Sequence, residues 1–141
     1  MFEKYGDSAS NVVFLARYEA VQMGGESIQS EHFLLALVRE CPRLMEKLLK
    51  KERSDLRVDI EESMRKDGKI TGVRSRNIDV PLSPEVKTIL AHVWDDFQRN
   101  ELAVITPREL LAGILRHKEC WAAKFLLKRG LNPGDVPGAT R

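Results

Sequence analysis

The sequence has few of the features that define membrane, secreted or disulfide-bonded proteins. Its 141 residues include only two cysteines, Cys41 and Cys120, which are too few for a disulfide framework. No apolar run approaches the roughly 20 residues of a membrane-spanning helix, and Met1-Phe2-Glu3-Lys4 does not begin a signal peptide. We therefore expect a cytoplasmic protein without a membrane segment.

A charge excess of one sign is also missing. The 23 basic residues are nearly balanced by 21 acidic ones, and the formal charge of +2 is too small to imply a polyanionic partner. The hydrophobic fraction of 43% and the charged fraction of 31% are typical of globular proteins. The length suits one domain with a real core.

The chain also lacks a recognisable catalytic or metal-binding set. No G-x-x-x-x-G-K-[ST] phosphate loop occurs, and no serine or cysteine nucleophile is placed at a recognisable spacing from His32. His117 and Cys120 could donate two metal ligands, but structural zinc usually takes four and nothing nearby supplies the rest. We predict no enzyme activity, no cofactor and no metal.

The strongest positive feature is an internal repeat. Residues 5–53 align without a gap with residues 82–130, at a constant offset of 77 positions. The identical pairs include Ile28 and Ile105, Leu34 and Leu111, Arg39 and Arg116, Lys47 and Lys124, Leu49 and Leu126, and Lys51 and Lys128. A duplicated unit with no catalytic set points toward binding.

Apolar spacing predicts four helices in the first copy. Asp7 is the expected N-cap of the first helix, and Gly24-Gly25 is expected to end it. Further helices are predicted to begin near Ser30, Pro42 and Ser54. The helix that begins near Pro42, the third of this copy, is expected to bury four apolar side chains: Leu44, Met45, Leu48 and Leu49.

The second copy has clearer helix boundaries. Ser83-Pro84-Glu85 predicts a helix start, and Thr106 with Glu109 predicts a capping box. The segment 131–138 contains two prolines and two glycines, which exclude a fourth helix there. We expect seven principal helices in one all-α domain made of repeat one (2–66), a flexible basic linker (67–81), repeat two (82–130) and an irregular tail (131–141). Stacking the two repeats buries their apolar faces better than either repeat can alone.

Three segments resemble the N-terminal domain of the Clp unfoldase chaperones. They are Phe2-Glu3-Lys4-Tyr5 with the helix that follows it, residues 28–39, and Leu82-Ser83-Pro84. The segment 28–39 is the most specific, because Ser30-Glu31-His32 before a leucine-rich helix is similar to the family's threonine-glutamate-histidine pattern. The resemblance covers residues 2 to about 130.

The resemblance implies two pseudo-twofold-related helical repeats that sit on a tether above an ATPase ring. In that family the domain docks adaptors or substrate proteins, and some members recognise phosphorylated arginine through acidic residues near each second helix. The partners implied here are a Clp ATPase and Clp adaptor or substrate proteins. Because the ATPase phosphate loop is absent, we expect a stand-alone relative or an excised N-domain.

By the same resemblance, the expected partner-binding residues are Ser30, Glu31, His32 and Glu109. Repeat two departs from the pattern, since Pro107, Arg108 and Glu109 stand where the threonine-glutamate-histidine set would be. A symmetric pair of phosphoarginine sites is therefore not expected, and a ligand would use the two halves unequally.

Structural roles compete with these assignments. Glu31 lies in a first helical turn, where the macrodipole favours an acid by about 0.3–1 kcal/mol, or it could be an exposed carboxylate that binds a guanidinium. Glu109 suits the capping box. Trp121 fits a core position, but a partly exposed Trp121 would be a good peptide anchor.

A helical nucleic-acid-binding protein is the alternative function. The third helix carries a basic stretch, and the linker adds Arg74 and Arg76. The basic residues of the stretch are Arg43, Lys47, Lys50, Lys51 and Arg53. Such a stretch is usually a solvated face, and the balanced overall charge argues against nucleic acid as a partner.

Overall fold

A computed structural model describes residues 2–139 of the chain. Within that range the protein is all-helical, with seven α-helices and one short 3₁₀ turn. The elements are α1 (Asp7–Gln22), α2 (Ser30–Glu40), α3 (Pro42–Leu49), α4 (Arg53–Lys66), α5 (Pro84–Arg99), α6 (Pro107–Arg116), α7 (Trp121–Lys128) and the 3₁₀ turn Pro133–Asp135. None of the described helices is long and apolar enough to cross a bilayer.

The seven predicted helices are confirmed, and most of their boundaries agree with the sequence. Ser83 caps α5 by accepting a hydrogen bond at Oγ from the Val86 N–H at 3.1 Å. One cap prediction is wrong: Gly6, not Asp7, is the N-cap of α1, and no side chain caps that end. Asp7 is instead the first helical residue, where its charge still interacts favourably with the macrodipole.

Two isolated bridges relate the repeats as a pseudo-twofold pair. Tyr5 pairs with Ile105, and Ile28 pairs with Leu82. Because Leu82 is the counterpart of Tyr5 and Ile105 that of Ile28, exchanging the two copies converts one bridge into the other. The hydrogen bonds match as well: Gly6 N–H to the Ile105 carbonyl (2.9 Å), Ser83 N–H to the Ile28 carbonyl (3.0 Å), Ile105 N–H to the Lys4 carbonyl (2.9 Å) and Ile28 N–H to the Pro81 carbonyl (2.7 Å).

Both repeats contribute to one apolar core. Helices α1 and α2 pack together in repeat one, as α5 and α6 do in repeat two, while α2 also contacts α7 and α1 contacts α6 across the repeats. Helix α2 is buried along residues 30–38. The predicted burial of four apolar side chains in α3 is wrong, because Met45 alone among them is fully buried. Leu44, Leu48 and Leu49 are half-buried, since α3 lies at the edge of the domain.

The linker and the tail are the parts that break the symmetry. The linker lies against the end of α1, where the Ser75 N–H donates to the Val21 carbonyl at 2.8 Å and the Ser75 Oγ donates to the Gly25 carbonyl at 2.9 Å. A linker with these contacts is more firmly held than the flexible one expected. The tail occupies the chain position that α4 has in repeat one, but within its described part only the 3₁₀ turn is helical.

Candidate partner-binding site

A groove lies between α4 of repeat one and α7 of repeat two. Its cavity measures about 260 Å³. We call it the inter-repeat groove, and it is lined by Ser63, Lys66, Asp67, Trp121, Lys124, Phe125, Lys128 and Arg129. Repeat two has no counterpart of α4 in the described part of the chain, so the pseudo-twofold axis does not generate a second copy of this groove there.

An aromatic pair forms one wall of the groove. Trp121 and Phe125 stack with their ring centroids 5.4 Å apart and an interplanar angle of 15°. Trp121 is only half-buried, and its indole N–H donates to Asp67 Oδ2 at 2.7 Å. The indole is thus held in one orientation while part of its surface remains available. This favours the peptide-anchor interpretation of Trp121 over a purely core role.

Charged side chains join the two helices and line the rest of the groove. Arg129 donates two hydrogen bonds of 2.7 Å to Asp59, and its guanidinium lies 4.6 Å from the centre of the Phe125 ring. This pairing lowers the pKa of Asp59 and raises that of Arg129.

Three lysines of the groove remain uncommitted. Lys66, Lys124 and Lys128 form no ion pair with any residue in the range 2–139. Among the described residues, Asp67 is the only acidic one that lines the groove, and it already accepts the Trp121 N–H. The groove therefore presents positive charge beside an aromatic surface.

The N-terminus of α2 contacts the first turn of the groove helix α7. Ser30 is fully buried, and its Oγ accepts a hydrogen bond from the Ala122 N–H at 3.2 Å. Glu31 is 3% exposed and lies 3.7 Å from Lys69 Nζ of the linker. Burial raises the pKa of Glu31, and the weaker effects of its own backbone amide and of Lys69 lower it. The carboxylate is thus covered and paired, rather than exposed as the guanidinium-binding interpretation assumed.

His32 and Glu109 occupy equivalent positions and perform the same local task. His32 Nδ1 accepts a hydrogen bond from the Gln29 N–H at 2.9 Å, at the start of α2. Glu109 Oε1 accepts one from the Thr106 N–H at 2.7 Å, at the start of α6. The predicted capping box of Thr106 and Glu109 is confirmed, and a similar box with a histidine was missed in repeat one. Burial lowers the pKa of His32 to about 4, so its imidazole is neutral near pH 7.

The structure brings together only part of the residue set expected from sequence. Ser30 and Glu31 lie where α2 meets α7 and the linker, whereas Glu109 is on α6 and does not line the groove. The groove residues were missed apart from Trp121. One signal was available, because Trp121 replaces Leu44 in the repeat alignment, and an exchange to tryptophan at an otherwise aliphatic position marks a difference between the copies.

Comparison with known proteins is consistent with this architecture. The family model of the Clp repeat (R) N-terminal domain matches residues 4–129. The chain belongs to this family. The N-terminal domain of the chaperone ClpD from Arabidopsis thaliana superposes with a TM-score of 0.74 at 20% identity, over 99% of this chain and 96% of that one. The Hsp104 N-terminal domain from Candida albicans gives a TM-score of 0.72 at 17% identity, over 99% and 95% of the two chains. At these identities the likeness shows a shared fold.

The curated relatives of this Clp N-terminal domain are much longer proteins. The chloroplastic chaperone protein ClpC1 of Oryza sativa subsp. japonica is 29% identical over 139 residues, which are 96% of this chain and 15% of that protein. The chloroplastic ClpC1 of Arabidopsis thaliana gives the same identity over the same length, with 14% of that protein covered. The chain thus spans about one seventh of the curated relatives it matches.

Proposed function

We propose that this Clp N-terminal domain is a polypeptide-binding module that docks a substrate or adaptor segment in the inter-repeat groove. The observation that carries the proposal is the half-buried Trp121, stacked on Phe125 and bordered by lysines that have no described ion-pair partner. Aromatic anchors of this kind supply a large share of the binding energy at protein interfaces.

The groove chemistry selects an acidic segment with at least one apolar side chain. An apolar side chain laid on the Trp121–Phe125 stack loses its contact with water, which contributes about 25 cal/mol per Å² of apolar surface. Glu or Asp residues on either side of it would contact Lys124 and Lys128. Such charge complementarity increases specificity and the association rate more than the affinity. Arg129 is already engaged by Asp59 and serves to join α4 to α7.

If the domain is tethered to a Clp ATPase ring, its role is to hold a bound client close to that ring. A bound client held beside an ATPase ring has a raised local concentration there, so its next encounter becomes intramolecular. The Clp ATPase and the adaptor or substrate proteins remain the proposed partners. The cytoplasmic location and the absence of enzyme activity stay predictions.

The residues assigned by resemblance stay proposals as well. Ser30 and Glu31 would act by positioning the elements beside the groove. Ser30 accepts a hydrogen bond from the first turn of α7, and Glu31 pairs with Lys69 of the linker. For Glu31 to bind a phosphoarginine side chain, the incoming guanidinium would have to displace Lys69. His32 and Glu109 would act through the helix starts that they cap.

A fluorescence-anisotropy titration tests the groove. The probe is labelled, reduced and carboxymethylated α-lactalbumin, an unfolded acidic polypeptide. The double variant Lys124→Glu/Lys128→Glu should weaken binding about tenfold or more, because each exposed ion pair is worth about 0.2–1 kcal/mol and reversal replaces attraction by repulsion. A double reversal on α3 is the matched control: Arg43→Glu/Lys47→Glu changes two exposed basic residues at the same spacing, outside the groove, and should bind like the wild type. Equal loss in both variants would contradict the assignment of the groove.

A further inference from the structure

Repeat two contains a buried carboxylate with one unused oxygen. Asp96 in α5 is 7% exposed. Its Oδ2 accepts a hydrogen bond from Arg116 Nη1 at 2.6 Å, but its Oδ1 has no hydrogen-bond partner among the described residues. Buried polar atoms are nearly always paired, since an unpaired one forfeits its hydration without compensation. This oxygen therefore needs an explanation.

Repeat one shows what pairs with the equivalent carboxylate. Glu19 stands 77 positions before Asp96 and is 1% exposed. Both of its oxygens accept hydrogen bonds from the Arg57 guanidinium, each at 2.8 Å. Arg39, the counterpart of Arg116, lies farther away, with its Nη1 at 3.7 Å from Glu19 Oε2. In repeat one, both oxygens of the Glu19 carboxylate are therefore hydrogen-bonded to the Arg57 guanidinium.

Among residues 2–139, repeat two has no helix that supplies that guanidinium in the same way. Arg57 belongs to α4, and the matching segment of repeat two is the tail, where Gly134 holds the equivalent chain position. A cavity of about 110 Å³ lies beside Asp96, with Gly138 of the tail in its wall. Asp96 and Glu109 both line this cavity, and no basic side chain does so among the described residues. The space is therefore acidic, partly enclosed and next to a carboxylate that has an unused oxygen.

We propose that this cavity is a binding site for an arginine side chain of a partner polypeptide, whose guanidinium pairs with Asp96 as Arg57 pairs with Glu19. A guanidinium matches a carboxylate with two parallel donors, which a lysine ammonium cannot do. No residue lines both this cavity and the inter-repeat groove. The site is thus independent of the proposed groove function and gives repeat two a role of its own.

The test is an NMR titration of the ¹⁵N-labelled protein with N-acetyl-arginine-amide. N-acetyl-citrulline-amide, which has nearly the same shape but no charge, and N-acetyl-lysine-amide are the comparison probes. We expect saturable shifts of the Asn100, Leu102 and Gly138 amides with the arginine probe, and an affinity about tenfold lower for the other two, equivalent to about 1.4 kcal/mol. The same titration on an Arg141→Ala variant should give the same shifts, since the proposed ligand is an external arginine.

A variant that keeps the Asp96–Arg116 pair tests the site without removing a buried charge. Leu102 lines the cavity and is 36% exposed, so Leu102→Arg places a guanidinium at its wall. This variant should abolish binding of the arginine probe. Leu127→Arg makes the same change at a leucine of 38% exposure outside the cavity and should leave binding unchanged. Equal shifts with arginine and citrulline probes, or unaltered binding by Leu102→Arg, would overturn the proposal.

Discussion

The two repeats should respond very differently to loss of the same arginine. Arg39 and Arg116 are identical residues at equivalent positions, and each faces an acidic residue of the preceding helix. We predict that Arg116→Ala destabilises the protein strongly, whereas Arg39→Ala has a small effect. The comparison is internally controlled, because residue type, helix position and fold context are all matched.

The magnitudes follow from what each change leaves behind. The Arg116 and Asp96 side chains are 17% and 10% exposed, and Arg116→Ala removes the one described hydrogen bond to the Asp96 carboxylate. Breaking a buried pair on one side costs about 3–5 kcal/mol. Arg39 is 48% exposed, and Glu19 keeps both hydrogen bonds from Arg57 when Arg39 is removed. Loss of an exposed pair costs at most about 1 kcal/mol, with a similar contribution from the contact of Arg39 with Tyr18.

Urea unfolding followed by circular dichroism at 222 nm measures both changes in the free energy of unfolding. Arg116→Ala should lower that free energy by at least about 1 kcal/mol more than Arg39→Ala does. An Arg116→Ala/Asp96→Asn double variant should recover part of the loss, since it removes the uncompensated charge. Equal costs for the two single variants would refute the account of how the repeats differ electrostatically.

Two further predictions concern the helix starts. Glu109→Ala removes the capping-box acceptor of α6 and should lower the free energy of unfolding by about 1 kcal/mol in the same urea assay. Exposed Glu119 provides the control, because Glu119→Ala should change that free energy by less than about 0.5 kcal/mol. Burial holds the pKa of His32 at about 4 in the folded state, against an ordinary value of 6.5. The stabilising effect of a neutral His32 is therefore complete above about pH 6.5 and should be lost as the pH falls toward 4, by about 3 kcal/mol in total. A His32→Gln variant whose unfolding free energy kept the wild-type slope between these pH values would contradict this assignment.

The helices and their boundaries could be predicted from the sequence because they depend on local signals. Helix boundaries depend on residues close in sequence, such as the Ser83 hydroxyl that reaches the Val86 amide or Pro42 in the first turn of α3. The repeat offset then related the two halves before any contact was known. Depth of burial was less predictable, because helical spacing identifies an apolar face without showing how closely another element covers it. The half-buried leucines of α3 illustrate this limit.

The site depended on contacts between distant segments. Glu31 is covered partly by Lys69 of the linker, and Trp121 is oriented by Asp67, which follows α4. Neither pairing has a signature in local sequence. The unused oxygen of Asp96 is likewise visible only when its surroundings are compared with those of Glu19. The predicted inequality of the two halves has a physical basis in these pairings, since α4 supplies Arg57 and one wall of the groove in repeat one alone.

The most direct test of polypeptide binding in the inter-repeat groove is an NMR map of the contact surface. The ¹⁵N-labelled protein would be titrated with unlabelled, reduced and carboxymethylated α-lactalbumin. The predicted result is a set of concentration-dependent shifts at the Trp121 indole N–H and at the Phe125 and Lys128 amides, with little change on α3. Shifts confined to surfaces outside the groove, or no shifts at saturating polypeptide, would contradict the proposed function.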